Sequence, residues 1–176
     1  RLRARPEPPE RARLDAIEDH LQTRVRPHLT RYWDAEEFAF DLLPGLAELG
    51  LGRLVLDGSS SLFQQLVHAE IARVDLSLSA LVGIHNELNL GMIAGLGSER
   101  QKATWQGRLE SFDALGAFCL TEPDHGSDPA SMRTRARRDG DDWVLDGAKT
   151  WITNGSIADV AVVWARTDDG VRGFVV

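Results

Sequence analysis

Two stretches decide how this chain is read. The first, Ala117-Phe118-Cys119-Leu120-Thr121-Glu122-Pro123-Asp124-His125-Gly126-Ser127-Asp128, opens as a short apolar run and passes into a loop dense in proline, glycine, aspartate and serine. The second, Asp146-Gly147-Ala148-Lys149-Thr150-Trp151-Ile152-Thr153-Asn154-Gly155, sets a β-prone run between two turn dipeptides. Working outward from them, strands are expected at residues 134–138, 143–145, 150–153 and 160–165. Asp139-Gly140-Asp141 and Asp168-Asp169-Gly170 supply further turns. A last strand starts at Val171 and is still running at Val176. A β domain does not normally close inside a strand, so the chain is read as truncated there. It opens on Arg1 in place of Met, so its start is expected to be missing as well.

Upstream of Ser111 the pattern is helical. Leu14, Ile17, Leu21 and Val25 recur on one helical face, and Pro27 is expected to end that run. Phe38, Leu42, Leu46 and Leu49 make a second stripe, with a kink or restart expected at Pro44 and a C-cap at Gly50. Gly58-Ser59-Ser60 precedes a third stripe at Phe63, Val67, Ile71 and Val74. Residues 76–97 are apolar nearly all round and are expected to be buried centrally. Ser98-Glu99-Arg100-Gln101 matches a capping box and opens a short helix carrying Trp105 and Leu109. The fold class read from this order is α+β, with a helical domain over residues 1–112 and an incomplete β domain over residues 113–176.

Bulk properties narrow the function. With 43% hydrophobic and 27% charged residues in 176, the composition is that of an ordinary soluble protein. A net charge of −7, with no basic stripe, argues against nucleic-acid binding. The single cysteine, Cys119, excludes an internal disulfide framework. With no secretory signal either, a reducing, cytoplasmic setting is expected. Residues 1–13 carry five arginines beside Glu7 and Glu10 and read as a solvated tail. Residues 76–98 come nearest to a membrane span, but they hold His85, Asn86 and Glu87 near the middle and read as a buried helix pair.

Common cofactor signatures are missing. Gly147-Ala148-Lys149-Thr150 mimics the end of a P-loop, yet Asp142 stands where its first glycine is required. Asn154-Gly155-Ser156 fits a glycosylation sequon but, without a secretory signal, reads as a turn. His125 with Glu122, Asp124 and Asp128 lacks ligand spacing from other elements, so no metal site is read. Two features remain. Gly126 and Ser127 can offer consecutive backbone N–H groups and a hydroxyl to a phosphate, although composition alone favours a surface turn. In an extended strand Trp151 and Thr153 share a face, an aromatic plane beside a hydroxyl that suits a flat heteroaromatic cofactor. A core tryptophan in a hairpin is the plainer reading.

Taken together, Leu120-Thr121-Glu122-Pro123, Gly126-Ser127-Asp128, Asp146-Gly147, Lys149 and Trp151-Ile152-Thr153-Asn154-Gly155 at this spacing resemble the acyl-CoA dehydrogenase family. The likeness extends through Ala158-Asp159-Val160 and Val163-Trp164-Ala165-Arg166. It reaches back to Gly97-Ser98-Glu99-Arg100-Gln101 and Glu70-Ile71-Ala72-Arg73-Val74-Asp75, and residues 121–132 and 160–176 look especially like the glutaryl-CoA branch. The resemblance implies a helical amino-terminal domain, a middle β domain and a carboxy-terminal helical bundle that this chain lacks, with FAD between them. It assigns Phe118, Leu120, Thr121, Gly126, Ser127, Trp151, Ile152 and Thr153 to the flavin. Leu120 and Thr121 meet the ring edge, Ser127 the pyrophosphate and the CoA, Trp151 the ring face opposite the substrate, and Thr153 flavin N5. Ser79 and Leu88 line the acyl pocket.

The same resemblance implies a carboxylate base that removes the α-proton while the β-hydrogen leaves as hydride. That base is expected beyond Val176, so no catalytic residue is named here. Glu87 reads as a helix carboxylate and Glu122 as part of the loop motif. The glutaryl branch carries an arginine at the position of Ser79, and no lysine or arginine occurs from Val74 to Glu99, so a monocarboxylic acyl group is expected. The implied partners are an acyl-CoA, an electron-transfer flavoprotein and further copies of the chain in a tetramer. The alternatives are an acyl-CoA oxidase on the same scaffold, or a non-catalytic lobe whose base comes from a partner chain.

Overall fold

Pro27 does not end the first helix. In the computed structural model, which describes residues 6–176, α1 (Pro8–His20) runs into a π-helical turn (Leu21–Val25) and then into α2 (Arg26–Ala35). A proline lacks the N–H donor, and its ring crowds the carbonyl four residues back. The wider π turn just upstream absorbs that conflict, and helix persists until Glu36 turns left-handed at φ 55°. Arg11 and Arg13, expected in a solvated tail, lie within α1, where Arg11 pairs with Asp15 at 2.9 Å and Arg13 with Asp57. Residues 1–5 of that tail lie outside the described residues.

Two units make up the chain, divided between Asp113 and Ala114. In the first, the stripe Leu14, Ile17, Leu21 and Val25 is buried, and α1 packs on α4 (Ser61–Val74), whose Phe63, Val67 and Ile71 are buried in turn. Ser60 caps α4 by accepting the Phe63 N–H at 3.1 Å. The expected restart at Pro44 is present. A 3₁₀ turn (Phe40–Leu42) gives way to α3 (Leu43–Glu48) with Pro44 in its first turn, and Gly50 at φ 74° closes it.

Residues 76–97 differ from expectation. They form α5 (Leu76–Gly83), a second π-helical stretch (Ile84–Leu90) and α6 (Gly91–Leu96). Their burial is uneven: α5 meets α4, and the π stretch and α6 meet α7, the π stretch also meeting the turn at Leu51–Arg53. Leu78, Leu81, Leu90 and Ile93 are buried, whereas Leu76 is 73% and Leu96 77% exposed. Inside, Asn86 Nδ2 donates to the carbonyls of Leu51 (2.7 Å) and Val82 (3.0 Å), and His85 Nε2 lies 2.8 Å from the Leu109 carbonyl. These polar groups tie helices together. No helix among the described residues is long and apolar enough to cross a membrane. The expected capping box opens α7 (Glu99–Glu110), Ser98 and Gln101 each accepting the other's backbone N–H.

The second unit is one sheet of β1 (Gly116–Cys119), β2 (Arg135–Asp139), β3 (Asp142–Asp146), β4 (Val160–Thr167) and β5 (Gly170–Val175). β4 organises it. One edge pairs antiparallel with β5, and the other pairs parallel with β1 and then, at Arg166, with β2. β2 and β3 form a tight hairpin with Gly140 at φ 64°. The α+β class expected from the sequence is the class found. The strand expected at residues 150–153 is not, for a reason that belongs to the site.

Candidate functional site

β1 leaves the sheet after Cys119. Until then it is held in register with β4, from Gly116 opposite Val160 to Cys119 opposite Val163, and the Phe118 ring sits edge-on to Trp164 at 5.9 Å. The chain then bends. Glu122 and His125 exchange backbone hydrogen bonds of 3.1 and 3.2 Å, closing a turn over Pro123-Asp124. Leu120 and Thr121 emerge half-buried before this turn, and Gly126 and Ser127 follow it exposed.

The second stretch is laid alongside the first. The Lys149 ammonium donates to the Leu120 carbonyl and to Glu122 Oε1, both at 2.9 Å, and the Thr150 N–H donates to the Thr121 carbonyl at 3.0 Å. Further along, Asn154 Nδ2 donates to the Gly116 carbonyl at 3.0 Å, and Asp159 Oδ2 accepts the Leu115 N–H at 2.9 Å. The run from Lys149 to Asp159 is thus a strap fastened at both ends to β1 and its exit loop.

Between the fasteners the backbone is not extended. Trp151 has φ 57° and Asn154 φ 65°, and the Gly155 N–H returns to the Ile152 carbonyl at 3.0 Å. The expected strand is replaced by a bend and a turn, because tertiary hydrogen bonding overrides the β propensity of Trp-Ile-Thr. Strand alternation therefore does not relate Trp151 to Thr153. Both residues are nonetheless exposed, Trp151 at 90%, while Ile152 is half-buried.

Glu122 is the electrostatic centre of this arrangement, and sequence reasoning gave it no such role. Its side chain is 4% exposed. Besides Lys149, its carboxylate accepts the N–H groups of Arg133 (2.6 Å) and Thr134 (2.9 Å). Burial pushes the carboxyl up, but the hydrogen bonds from Thr134, Arg133 and Lys149 outweigh it and hold the group at about 2. No local signal marks this pairing, since Lys149 is 27 residues downstream. The one hint is that Lys149 is the only lysine or arginine in the two motif stretches.

In the first unit, Ser79 lies on α5, half-buried, with its hydroxyl donating to the His68 carbonyl of α4 at 3.1 Å. Leu88 is half-buried in the π-helical stretch. His68 Nε2 lies 3.6 Å from the exposed Glu87. Burial lowers the imidazole's pKa, and the carboxylate only partly offsets it.

Comparison with known proteins gives a consistent picture. The family description "Acyl-CoA dehydrogenase, N-terminal domain" matches residues 7–113, and "Acyl-CoA dehydrogenase, middle domain" matches residues 117–176. The mitochondrial isobutyryl-CoA dehydrogenase of Dictyostelium discoideum is 35% identical over 165 residues, covering 89% of this chain and 39% of that protein. The crystal structure of glutaryl-CoA dehydrogenase from Mycobacterium smegmatis superposes with a TM-score of 0.90 at 45% identity, covering 97% of this chain and 46% of that one. A glutaryl-CoA dehydrogenase from the same organism in complex with FADH2 gives 0.91 at 40% identity, with 97% and 45% covered. The chain spans less than half the length of these relatives. Two adjacent family matches, which between them leave only a short opening segment and the linker near Ala114 uncovered, establish that the chain belongs to the acyl-CoA dehydrogenase family.

Proposed function

We infer that the protein carrying this chain is an FAD-dependent acyl-CoA dehydrogenase that desaturates the α,β bond of an acyl-CoA thioester. The observation that carries this reading is the fastening of the two loops. Lys149 and Thr150 bond to Leu120, Thr121 and Glu122, and so tie the stretch that carries the bare Trp151 indole and the exposed Thr153 to the loop that leads into Gly126-Ser127. That set fits the group. A flat heteroaromatic ring is bound by an aromatic plane with a few placed polar groups, and a pyrophosphate by free N–H groups and hydroxyls.

In this reading Phe118, Leu120, Thr121, Gly126 and Ser127 form one wall, and Trp151, Ile152 and Thr153 the other. Trp151 supports the ring on the side away from substrate, Thr153 places a hydroxyl at N5, and Ser127 serves the pyrophosphate and the CoA. FAD, when bound, supplies the acceptor for the β-hydrogen as hydride. The base that takes the α-proton is assigned to the part of the relatives' length that this chain does not span. Ser79 and Leu88 line the acyl pocket, the acyl group is monocarboxylic, and electrons pass on to an electron-transfer flavoprotein from an enzyme assembled as a tetramer.

The test uses full-length protein reconstituted with FAD. The expected result is a yellow protein whose flavin is released on acid precipitation, and is bleached under anaerobic conditions by a straight-chain acyl-CoA. A protein with no flavin absorbance band after reconstitution would overturn the reading.

A further inference from the structure

We propose that Glu122 and Lys149 are positioning residues for the cofactor: a buried ionic fastener that sets the Trp151-Ile152-Thr153 platform relative to Thr121. The inference rests on the flavin reading of this unit and extends it to residues that reading does not use.

The geometry is specific. Lys149 bonds at once to the Leu120 carbonyl and to the Glu122 carboxylate, and the two side chains are only 10% and 4% exposed. Their charges are covered by protein, so they act through their neighbours in sequence. Those neighbours are Thr121, directly before Glu122, and Thr150-Trp151, directly after Lys149. The carboxylate's other hydrogen bonds, from the Arg133 and Thr134 N–H groups, anchor it to the chain entering β2, so Lys149 is pulled toward a fixed point.

The platform needs such an anchor. Trp151 holds φ 57°, a left-handed backbone that a bulky aromatic residue keeps only when its surroundings over-determine it. Lys149 and Thr150 fix the chain on one side, and the bond from Asn154 to Gly116 fixes it on the other. Releasing the first lets Trp151 relax to an ordinary φ, which swings the exposed ring and displaces Thr153. A purely structural role explains less. An apolar pair of similar volume often serves stability as well as a buried ion pair, whereas an ion pair fixes a geometry.

The experiment uses full-length protein, wild type and three variants: Glu122→Gln/Lys149→Met, which removes both charges and strands neither, Glu122→Asp, and Lys149→Arg. FAD affinity is read by flavin fluorescence, the ring environment by visible circular dichroism of the bound flavin, and the fold by melting of the apoprotein. The double variant is expected to bind FAD roughly 10- to 100-fold more weakly, with an altered flavin dichroism band, and the loss is larger than any fall in its apoprotein melt accounts for. Glu122→Asp, which shortens the fastener by one methylene, is expected to shift the band in the same direction. Lys149→Arg is expected to restore most of the wild-type signal. Should the double variant not fold, Glu122→Asp decides alone. Wild-type affinity and dichroism in the folded variants overturn the fastener, as does a loss of affinity that merely tracks the melting temperature. A wild-type protein that binds no FAD overturns instead the flavin reading beneath it.

Discussion

Glu122 stays ionised while buried because three donors converge on it, and this makes the fold sensitive to acid in a defined window. Its folded value of about 2 lies below the 4.5 of the free side chain. Between those values the unfolded chain binds a proton that the folded chain refuses, so stability rises with pH there. The contribution is complete above the unfolded value and is lost as pH falls through the folded one, with a size on the order of 3 kcal/mol. Urea unfolding of wild type from pH 5.5 to 2.5 should therefore lose about 2–3 kcal/mol more than that of Glu122→Gln; parallel curves would contradict the pairing. A few residues away, Gly147 is set by close approach. At φ 152° it lies so near Thr134 that an added methyl group would fall 2.6 Å from the Thr134 Cα. Gly147→Ala is expected to destabilise by about 1–3 kcal/mol, visible as a lower melting temperature. An unshifted melt would show that the chain at Thr134 can yield.

Single elements show where sequence suffices and where it does not. Asp75 ends α4 and begins α5. Its Oδ1 accepts the Leu78 N–H at 2.6 Å as an N-cap, and its Oδ2 accepts the Trp33 indole N–H of α2 at 3.0 Å. Asp75→Ala should cost about 1 kcal/mol for the cap, Asp75→Asn much less, and chemical denaturation of the two variants measures the difference. Equal losses would assign the effect to charge and not to capping. Features of this local kind are legible in the sequence. The Ser98–Gln101 box, the Gly50 stop, the Pro44 restart and the Phe63-Val67-Ile71 stripe each depend on residues within a turn or two, and each is present. The misreadings are those that depend on partners far along the chain or on compensation by a neighbour. Pro27 looked like a stop because nothing in the sequence announces that a π turn will absorb its clash. Residues 76–97 looked centrally buried because apolar composition does not say how many flanks will be covered. Trp151 looked extended because its left-handed backbone is imposed by the fasteners at Lys149, Thr150 and Asn154. The two halves of the candidate site could be seen as motifs, but the ion pair that joins them could not.

At the scale of the whole protein the sharpest question is which acyl group is taken. Overall likeness to a glutaryl-CoA dehydrogenase does not decide it. Shared identity is spread through cores and turns, whereas recognition of a second carboxylate rests on one cation in the acyl pocket. By the family resemblance that cation is an arginine at the position of Ser79. Here Ser79 is short, and its hydroxyl is committed to the His68 carbonyl at 3.1 Å. No lysine or arginine lies between Val74 and Glu99. His68 and Glu87 offer no substitute. Burial lowers the His68 pKa and so disfavours its cationic form, and the side chain 3.6 Å from it, Glu87, is a carboxylic acid and no source of positive charge. A carboxylate buried without a cationic partner costs several kcal/mol, which corresponds to roughly 100-fold or more in kcat/KM. Full-length enzyme is therefore expected to prefer straight-chain monocarboxylic acyl-CoAs over glutaryl-CoA by at least that factor. Ser79→Arg is expected to narrow the gap by raising the glutaryl-CoA constant and lowering that for the straight-chain substrates. Steady-state constants for both substrates with both proteins provide the measurement, and a wild-type enzyme that favours glutaryl-CoA would show the charge argument to be wrong.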